Sequence, residues 1–399
     1  MSMPRAVRHI NEARALSALL KRGPMSRADL ARDLSVTRAT ASSIVGSLIE
    51  SGHVAEEAEP EADRQRRTGR PSTFVSLRLT HAIFLGAGIA LDRVAFAAID
   101  LGANPVFGTT VPFDCAGSDY RSVATFVAER ILDIAASVVG DPRSIQGLNV
   151  AVPGPVDFNG TVMRAPLLGW RNVPLKQAIE ERLQGLPVVN LDNDANAFAI
   201  ADMHRNGRAE DLDAVYLFIE DGVGGCIMHD GTILRGDRGY GGELGHMIIG
   251  ENGFAPNPTI RGSLESFIAR PALLARYRFH GGDAETVSAL IEALREGETA
   301  ARLAVKDWAL FLGRGLSTLV SALDPATIVI GGEVSSVFPF AREMVVESLH
   351  QHMLAASHDV PIELSPMGVE AAAYGAALIQ HKQFFAIDSG EILFGSSAG

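Results

Sequence analysis

The sequence predicts an α/β protein with a winged helix-turn-helix at its amino terminus, and three observations predict it. The first 80 of 399 residues hold 13 Lys+Arg against 9 Asp+Glu, so 13 − 9 = +4; the remainder holds 22 against 38, so 22 − 38 = −16, within an overall −12. That basic stretch carries three helical patterns separated by short turns. From about Thr80 onward, apolar β-like runs alternate with helical stretches in two successive series. With 47% hydrophobic and 21% charged residues, disorder across the chain is excluded, and the length calls for two or three domains. Cys115 and Cys226 are the only cysteines, which excludes a disulfide framework or a four-cysteine zinc site and fits a reducing cytoplasm. No apolar stretch approaches the ~18 residues of a membrane span, so a cytoplasmic protein without membrane contact is expected.

Ile10 to Lys21 place Ile10, Ala13, Leu16, Leu19 and Leu20 near a 3.6-residue period, and Gly23-Pro24 stops that helix. Ser26-Arg27-Ala28-Asp29 is a capping-box-like start for a short helix to about Leu34. Thr37 is the N-cap of a third helix, with Ile44, Val45, Leu48 and Ile49 inward and Gly52 as terminator.

In such a motif the second helix of the pair enters the major groove, and Arg38, Thr40, Ser42 and Ser43 occupy its first turns. Arg38 can read guanine edges or clamp a phosphate, and the hydroxyls suit either purpose. Two short strands, His53-Val54-Ala55 and Thr73-Phe74-Val75-Ser76-Leu77, flank Arg64-Gln65-Arg66-Arg67-Thr68-Gly69-Arg70-Pro71. Arg66, Arg67, Gly69 and Arg70 therefore read as a basic wing touching phosphate or the minor groove, against the plainer reading of a solvated loop.

Beyond Thr80, Ala82 to Ile89, Val94 to Ile99 and Ile145 to Val152 read as strands, and Ser122 to Val139 as a helix. In the second series Pro187 to Leu191, Ala214 to Ile219, Gly224 to His229, Met247 to Gly250 and Thr327 to Ile330 read as strands, with helices at Asn196 to His204 and Ala300 to Leu323. Ligands in such folds lie where the carboxyl ends of the strands meet. Asn193, Asp194, Glu243, His246 and Glu265 supply acceptors, an amide and an imidazole, which suit a ligand ringed by hydroxyls.

Several motifs, in order, resemble the ROK family (repressors, open reading frames, kinases). Val152-Pro153-Gly154-Pro155-Val156-Asp157 resembles its Pro-Gly-Pro loop, and Leu168-Gly169-Trp170 its glycine-tryptophan element. Asn193-Asp194-Ala195-Asn196-Ala197 resembles the segment holding the catalytic base of family kinases, Gly242-Glu243-Leu244-Gly245-His246 the glutamate-histidine sugar motif, and Gly262-Ser263-Leu264-Glu265 a further sugar-binding segment. Asp324-Pro325 through Gly331-Gly332 resembles the adenosine side. The resemblance implies a two-lobed actin-like ATPase (ribonuclease H-like) sugar-kinase fold with a sugar site at Gly154, Asn193, Asp194, Glu243, His246 and Glu265. It also implies dimer contacts in the carboxy-terminal half. The expected division is 1–80 for the winged domain, 81–192 for a first lobe completed by 378–399, and 193–377 for a second lobe.

The departures bear on function. Where family kinases carry an Asp-x-Gly-Gly-Thr phosphate loop, this chain reads Gly88-Ile89-Ala90-Leu91-Asp92, and the second loop, Gly-Thr-Gly, reads Glu220-Asp221-Gly222. Side chains replace glycines that let backbone approach phosphate, and Asp92, Glu220 and Asp221 should repel it, so neither ATP binding nor kinase activity is expected. The three zinc cysteines of the family fall at Pro256, Pro258 and Ser263, leaving His246 unable to hold zinc alone, so no metal is expected. The leading reading is a sugar-responsive transcriptional repressor: a homodimer on an inverted-repeat, double-stranded operator, with a sugar or sugar derivative as effector. Its rivals are an ATP-dependent hexose kinase with an added DNA-binding domain, keeping Asp194 as base, and a non-enzymatic module answering to a partner protein.

Overall fold

The computed structural model describes residues 5–58, 73–138, 142–183, 188–208, 212–256, 259–353 and 359–385. At the amino terminus α1 (Arg5–Arg22) buries Ala15, Leu16 and Leu19 against Leu30 and Leu34 of the next segment. Ser26 Oγ accepts from Asp29 N at 3.1 Å and caps α2 (Arg27–Asp33). Thr37 Oγ1 likewise accepts from Thr40 N at 3.1 Å and caps α3 (Arg38–Glu50), so each hydroxyl satisfies an otherwise orphaned first-turn donor. Ile44, Val45 and Leu48 face inward, whereas Ile49, expected inward, is exposed, because one further residue turns the side chain about 100° off the apolar stripe. β1 (Met25–Ser26), β2 (Val54–Ala58) and β3 (Thr73–Leu77) form an antiparallel sheet in the order β1-β3-β2. The segment joining β2 to β3, with Arg66, Arg67, Gly69 and Arg70, lies outside the described residues.

Two five-stranded sheets follow. The first, in the order β10-β7-β4-β5-β6, comprises β4 (Ile83–Ile89), β5 (Arg93–Ile99), β6 (Pro105–Pro112), β7 (Ile145–Val152) and β10 (Val189–Asn193). β4, β5 and β6 run antiparallel, and β7 and β10 are added in parallel to β4. The second, in the order β13-β12-β11-β14-β15, comprises β11 (Ala214–Ile219), β12 (Val223–His229), β13 (Thr232–Ile233), β14 (Thr327–Gly331) and β15 (Ile362–Leu364). Its pairing repeats the first: an antiparallel meander of three, then two parallel strands beside the first of them. A fold with this internal duplication has two lobes, and the carboxyl ends of both central strands point to the crevice between them. Met247 to Gly250, expected as a strand, makes only the single bridge Ile248 to Ser263, since the partner segment turns into the helix Leu264–Ile268 at the next residue.

Helices fill the layers around the sheets. In the first lobe α4 (Tyr120–Val138) buries Val123, Val127 and Ile131. In the second, the helix Thr299–Leu323 buries Trp308, whose Nε1 donates to Ile268 O at 2.9 Å. The last described helix, Ala371–Phe385, returns to the first sheet and packs against β4, β5, β7 and the helix Asp194–Arg205. Small residues permit this approach: a Cβ on Gly375 would overlap the Ala197 carbonyl, and one on Gly86 the Ala373 carbonyl. At its far end Phe384 and Phe385 join the apolar cluster of the winged domain, and Phe384 lies 5.8 Å from the His53 ring.

Candidate functional site

A cavity of about 640 Å³ opens between the lobes, and all six sugar-site residues expected from sequence, Gly154, Asn193, Asp194, Glu243, His246 and Glu265, line it. Gly154 has φ +114°, and a Cβ there would overlap the Arg164 carbonyl, so the Pro-Gly-Pro loop needs glycine. Asn193 ends β10 and caps the helix Asp194–Arg205: its Oδ1 accepts from Ala195 N at 2.9 Å, while its Nδ2 donates to Gly154 O at 3.1 Å. Both ends of that amide are engaged, and they hold the loop against the helix start.

Asp194 stands in the first helical turn, with Oδ1 accepting from Ala195 N at 2.8 Å. Burial pushes its carboxyl up to about 7, partly opposed by the backbone donor and reinforced by Glu243 and Glu220. Glu243 Oε2 lies 3.1 Å from His246 Nδ1, and that hydrogen bond raises the imidazole above its ordinary value against the effect of burial. Glu265 Oε2 accepts from Val223 N at 3.1 Å, and burial raises its carboxyl. A carboxyl near neutrality, a glutamate–imidazole pair and a second buried glutamate thus converge on one polar end, matching the donors and acceptors of a polyol.

The end nearest the Glu220-Asp221-Gly222 loop, which abuts Glu265, has different electrostatics. Glu220 Oε1 accepts from Glu333 N at 2.9 Å, just after Gly331-Gly332, and its Oε2 lies 3.3 Å from Arg93 Nη2 of the first lobe. Arg270 donates from Nε to Asp221 Oδ1 at 2.8 Å and from Nη1 to Glu333 Oε2 at 3.1 Å. Asp92, expected to face a phosphate, is instead largely exposed, paired with Arg93 at 2.8 Å, and absent from the cavity wall. Four carboxylates and two arginines therefore satisfy one another where the phosphate loops were expected, and the Glu333 backbone donor is already taken.

Sequence reasoning missed the arginines of this network. It also missed the buried Asp192, which takes a bidentate pair from Arg235 at 2.9 and 2.6 Å and fixes the loop after β13 beside the cleft. Apart from the adjacent Asp92–Arg93 pair, these partners stand 43 to 127 residues apart in sequence, so no local signal marks them.

The residues at the expected zinc position do not fit the ion. Pro256 has no donor atom, Ser263 Oγ donates to Ile260 O at 2.7 Å and caps the helix Leu264–Ile268, and His246 is tied to Glu243. Pro258 lies outside the described residues, among which no group of three or more His, Cys, Asp and Glu could hold a metal. In the amino-terminal domain Arg38, Ser42 and Ser43 are exposed on one side of α3. Thr40 is half-buried, its Oγ1 2.9 Å from Thr37 Oγ1, which draws it into the helix cap.

Known proteins resemble both parts. The ROK family profile matches residues 98–383, and a MarR family profile matches residues 8–65. The xylose repressor of Caldicellulosiruptor bescii is 26% identical over 92% of this chain and 94% of its own length. A ROK family transcriptional regulator homologous to the E. coli MLC protein superposes with a TM-score of 0.78 at 23% identity, over 96% of this chain and 98% of the other, which establishes the shared architecture. The ROK hexokinase of Thermus thermophilus gives 0.62 at 29% identity, over 75% and 98%. With the match extending over well more than half its length, the chain belongs to the ROK family.

Proposed function

We propose that this protein is a sugar-responsive DNA-binding repressor whose kinase-like cleft binds its effector without phosphorylating it. One observation carries the reading: a single cleft brings Asp194, Glu243, His246 and Glu265 together, while the groups at the positions of the kinase phosphate loops are consumed by one another. Full-length similarity to a relative named xylose repressor supports it, and so does the MarR-type domain at the amino terminus. Arg38, Ser42 and Ser43 reach bases or phosphates of an operator, and Arg66, Arg67, Gly69 and Arg70, whose charge the sequence concentrates in one short segment, add to the contact. The protein works as a homodimer on an inverted repeat in the cytoplasm, and no described helix is long and apolar enough to cross a membrane. Neither zinc nor ATP takes part.

The helix Ala371–Phe385 gives the effector a route to the DNA-binding head. Ala372 lines the cavity, and Phe384 and Phe385 pack into the head. A sugar that binds one lobe arrangement more tightly shifts the population of head positions by that difference in affinity.

A second reading, a sugar kinase with an added DNA-binding domain, is favoured by one observation: Asp194 sits near neutrality, where a general base works best. Coupled-enzyme assay of ADP release over a panel of pentoses and hexoses separates the two. The repressor reading expects no sugar-dependent release, together with footprinting of a symmetric operator; sugar-dependent turnover would contradict it.

A further inference from the structure

The cavity is larger than one sugar ring requires. A hexose has about the bulk of six waters, on the order of 200 Å³ at a water's share of liquid volume, whereas the cavity measures about 640 Å³. The sugar-site residues crowd one end. Elsewhere its wall sets Ile89 and Leu91 from the first lobe, Phe218 from the second, and Val369 and Ala372 at the start of the C-terminal helix beside Arg93, Glu220 and Asp221, whose charges are paired within the protein. Val369 is 46% exposed, so an apolar side chain faces the cavity rather than the core.

The charges around that end narrow the choice of occupant. Glu220, Asp221 and Glu333 repel a phosphate or nucleotide, and Arg93 and Arg270 are already committed to them. Arg164 belongs to the other end, where its charge acts on His246, and Arg171 is its cross-strand neighbour. A second sugar ring would need hydroxyl partners, but Arg93, Glu220 and Asp221, the charged groups among these apolar residues, already pair with one another or with Arg270. An uncharged apolar group meets neither objection.

We propose that the effector is a glycoside rather than a free monosaccharide. Its sugar ring sits among Asp194, Glu243, His246 and Glu265, and an uncharged apolar aglycone fills the half walled by Ile89, Leu91, Phe218, Val369 and Ala372. The proposal rests on the effector-site reading above and adds the ligand class. It also places the aglycone against Val369 and Ala372, at the cleft end of the helix that reaches the DNA-binding head.

Calorimetry on the full-length protein tests it, with free glucose, xylose and galactose, their methyl and 4-nitrophenyl glycosides, and the corresponding sugar phosphates. At least one nitrophenyl glycoside should bind about 10- to 100-fold more tightly than its free sugar, as expected for burying a ring's apolar surface, and the phosphates should bind no better than the free sugar. Val369→Asp, at an exposed position, should erase that advantage while leaving free-sugar affinity within about twofold; Ala372→Met, which fills the space without adding charge, should do the same. Free sugars binding as tightly as their nitrophenyl glycosides would overturn the glycoside proposal and leave the effector-site reading standing. An advantage that survives both substitutions would place the aglycone elsewhere and overturn it too. Binding of no compound in the panel would remove the effector-site reading together with the proposal.

Discussion

The two ends of one cleft use the same residue types to opposite effect. At the polar end Asp194, Glu243 and Glu265 line the cavity, each with a single close partner named above: Ala195 N, His246 and Val223 N. At the far end Glu220, Asp221 and Glu333 are held by Arg93, Arg270 and a backbone donor, leaving little for a ligand. A carboxylate by itself therefore says little about function. What distinguishes a binding group from a structural one is whether its hydrogen bonds close within the protein.

That contrast can be broken at either end. The largest effect is expected at Glu265, where Glu265→Ala removes a charge-assisted acceptor and should raise the effector concentration for half-maximal operator release by about 10- to 150-fold, or roughly 1.5 to 3 kcal/mol. Operator affinity without effector should stay within about twofold, as measured by fluorescence anisotropy.

Next comes the pH dependence of stability at Asp194. Its folded-state value, about 7, lies above the unfolded value of 3.8, so the group favours the fold fully below about 3.8, and that contribution is lost as pH rises towards 7. Asp194→Asn removes the titration while keeping the shape. Its stability relative to the parent should therefore grow between pH 5 and pH 8, to about 2 kcal/mol, in urea denaturation followed by circular dichroism. A constant difference across that range would mean that Asp194 titrates normally.

The smallest effect is expected at the far end. Arg93→Ala cuts an ion pair there that joins the lobes, at 3.3 Å and partly solvated, so it should cost about 1 kcal/mol or less. Effector affinity should be unchanged within twofold, and ADP release should stay absent. A large loss of effector affinity would show that the network also shapes the polar end.

Local chemistry made much of the fold legible. Ser26 and Thr37 cap the helices they were expected to cap, Ile145 to Val152 and Ala214 to Ile219 are strands over those residues, and Asp194 opens a helix facing the cleft. Features decided by distant partners were not legible. Met247 to Gly250 has β-like residues but no strand beside it, and Ile49 belongs to an apolar run but turns off the buried stripe. Pro105–Pro112, an exposed edge strand, carries too weak an apolar alternation to stand out. Arg93, Arg235 and Arg270 are ordinary arginines until the fold brings their carboxylates to them. The six residues expected to bind sugar line one cavity, and ordered motifs carry them, whereas the apolar residues of its wall have no motif and come together only in three dimensions.

Titration of an operator fragment with the parent protein and with Asp194→Ala, each with and without sugars and glycosides, tests most directly whether the cleft is the effector site. The parent should lose operator affinity as a ligand is added, and the same operator should weaken that ligand's binding by an equal factor, because linkage is reciprocal. Asp194→Ala should bind the operator like the parent yet need about 10- to 150-fold more ligand to release it. An equal ligand response in both proteins would contradict this and place the effector outside the cleft.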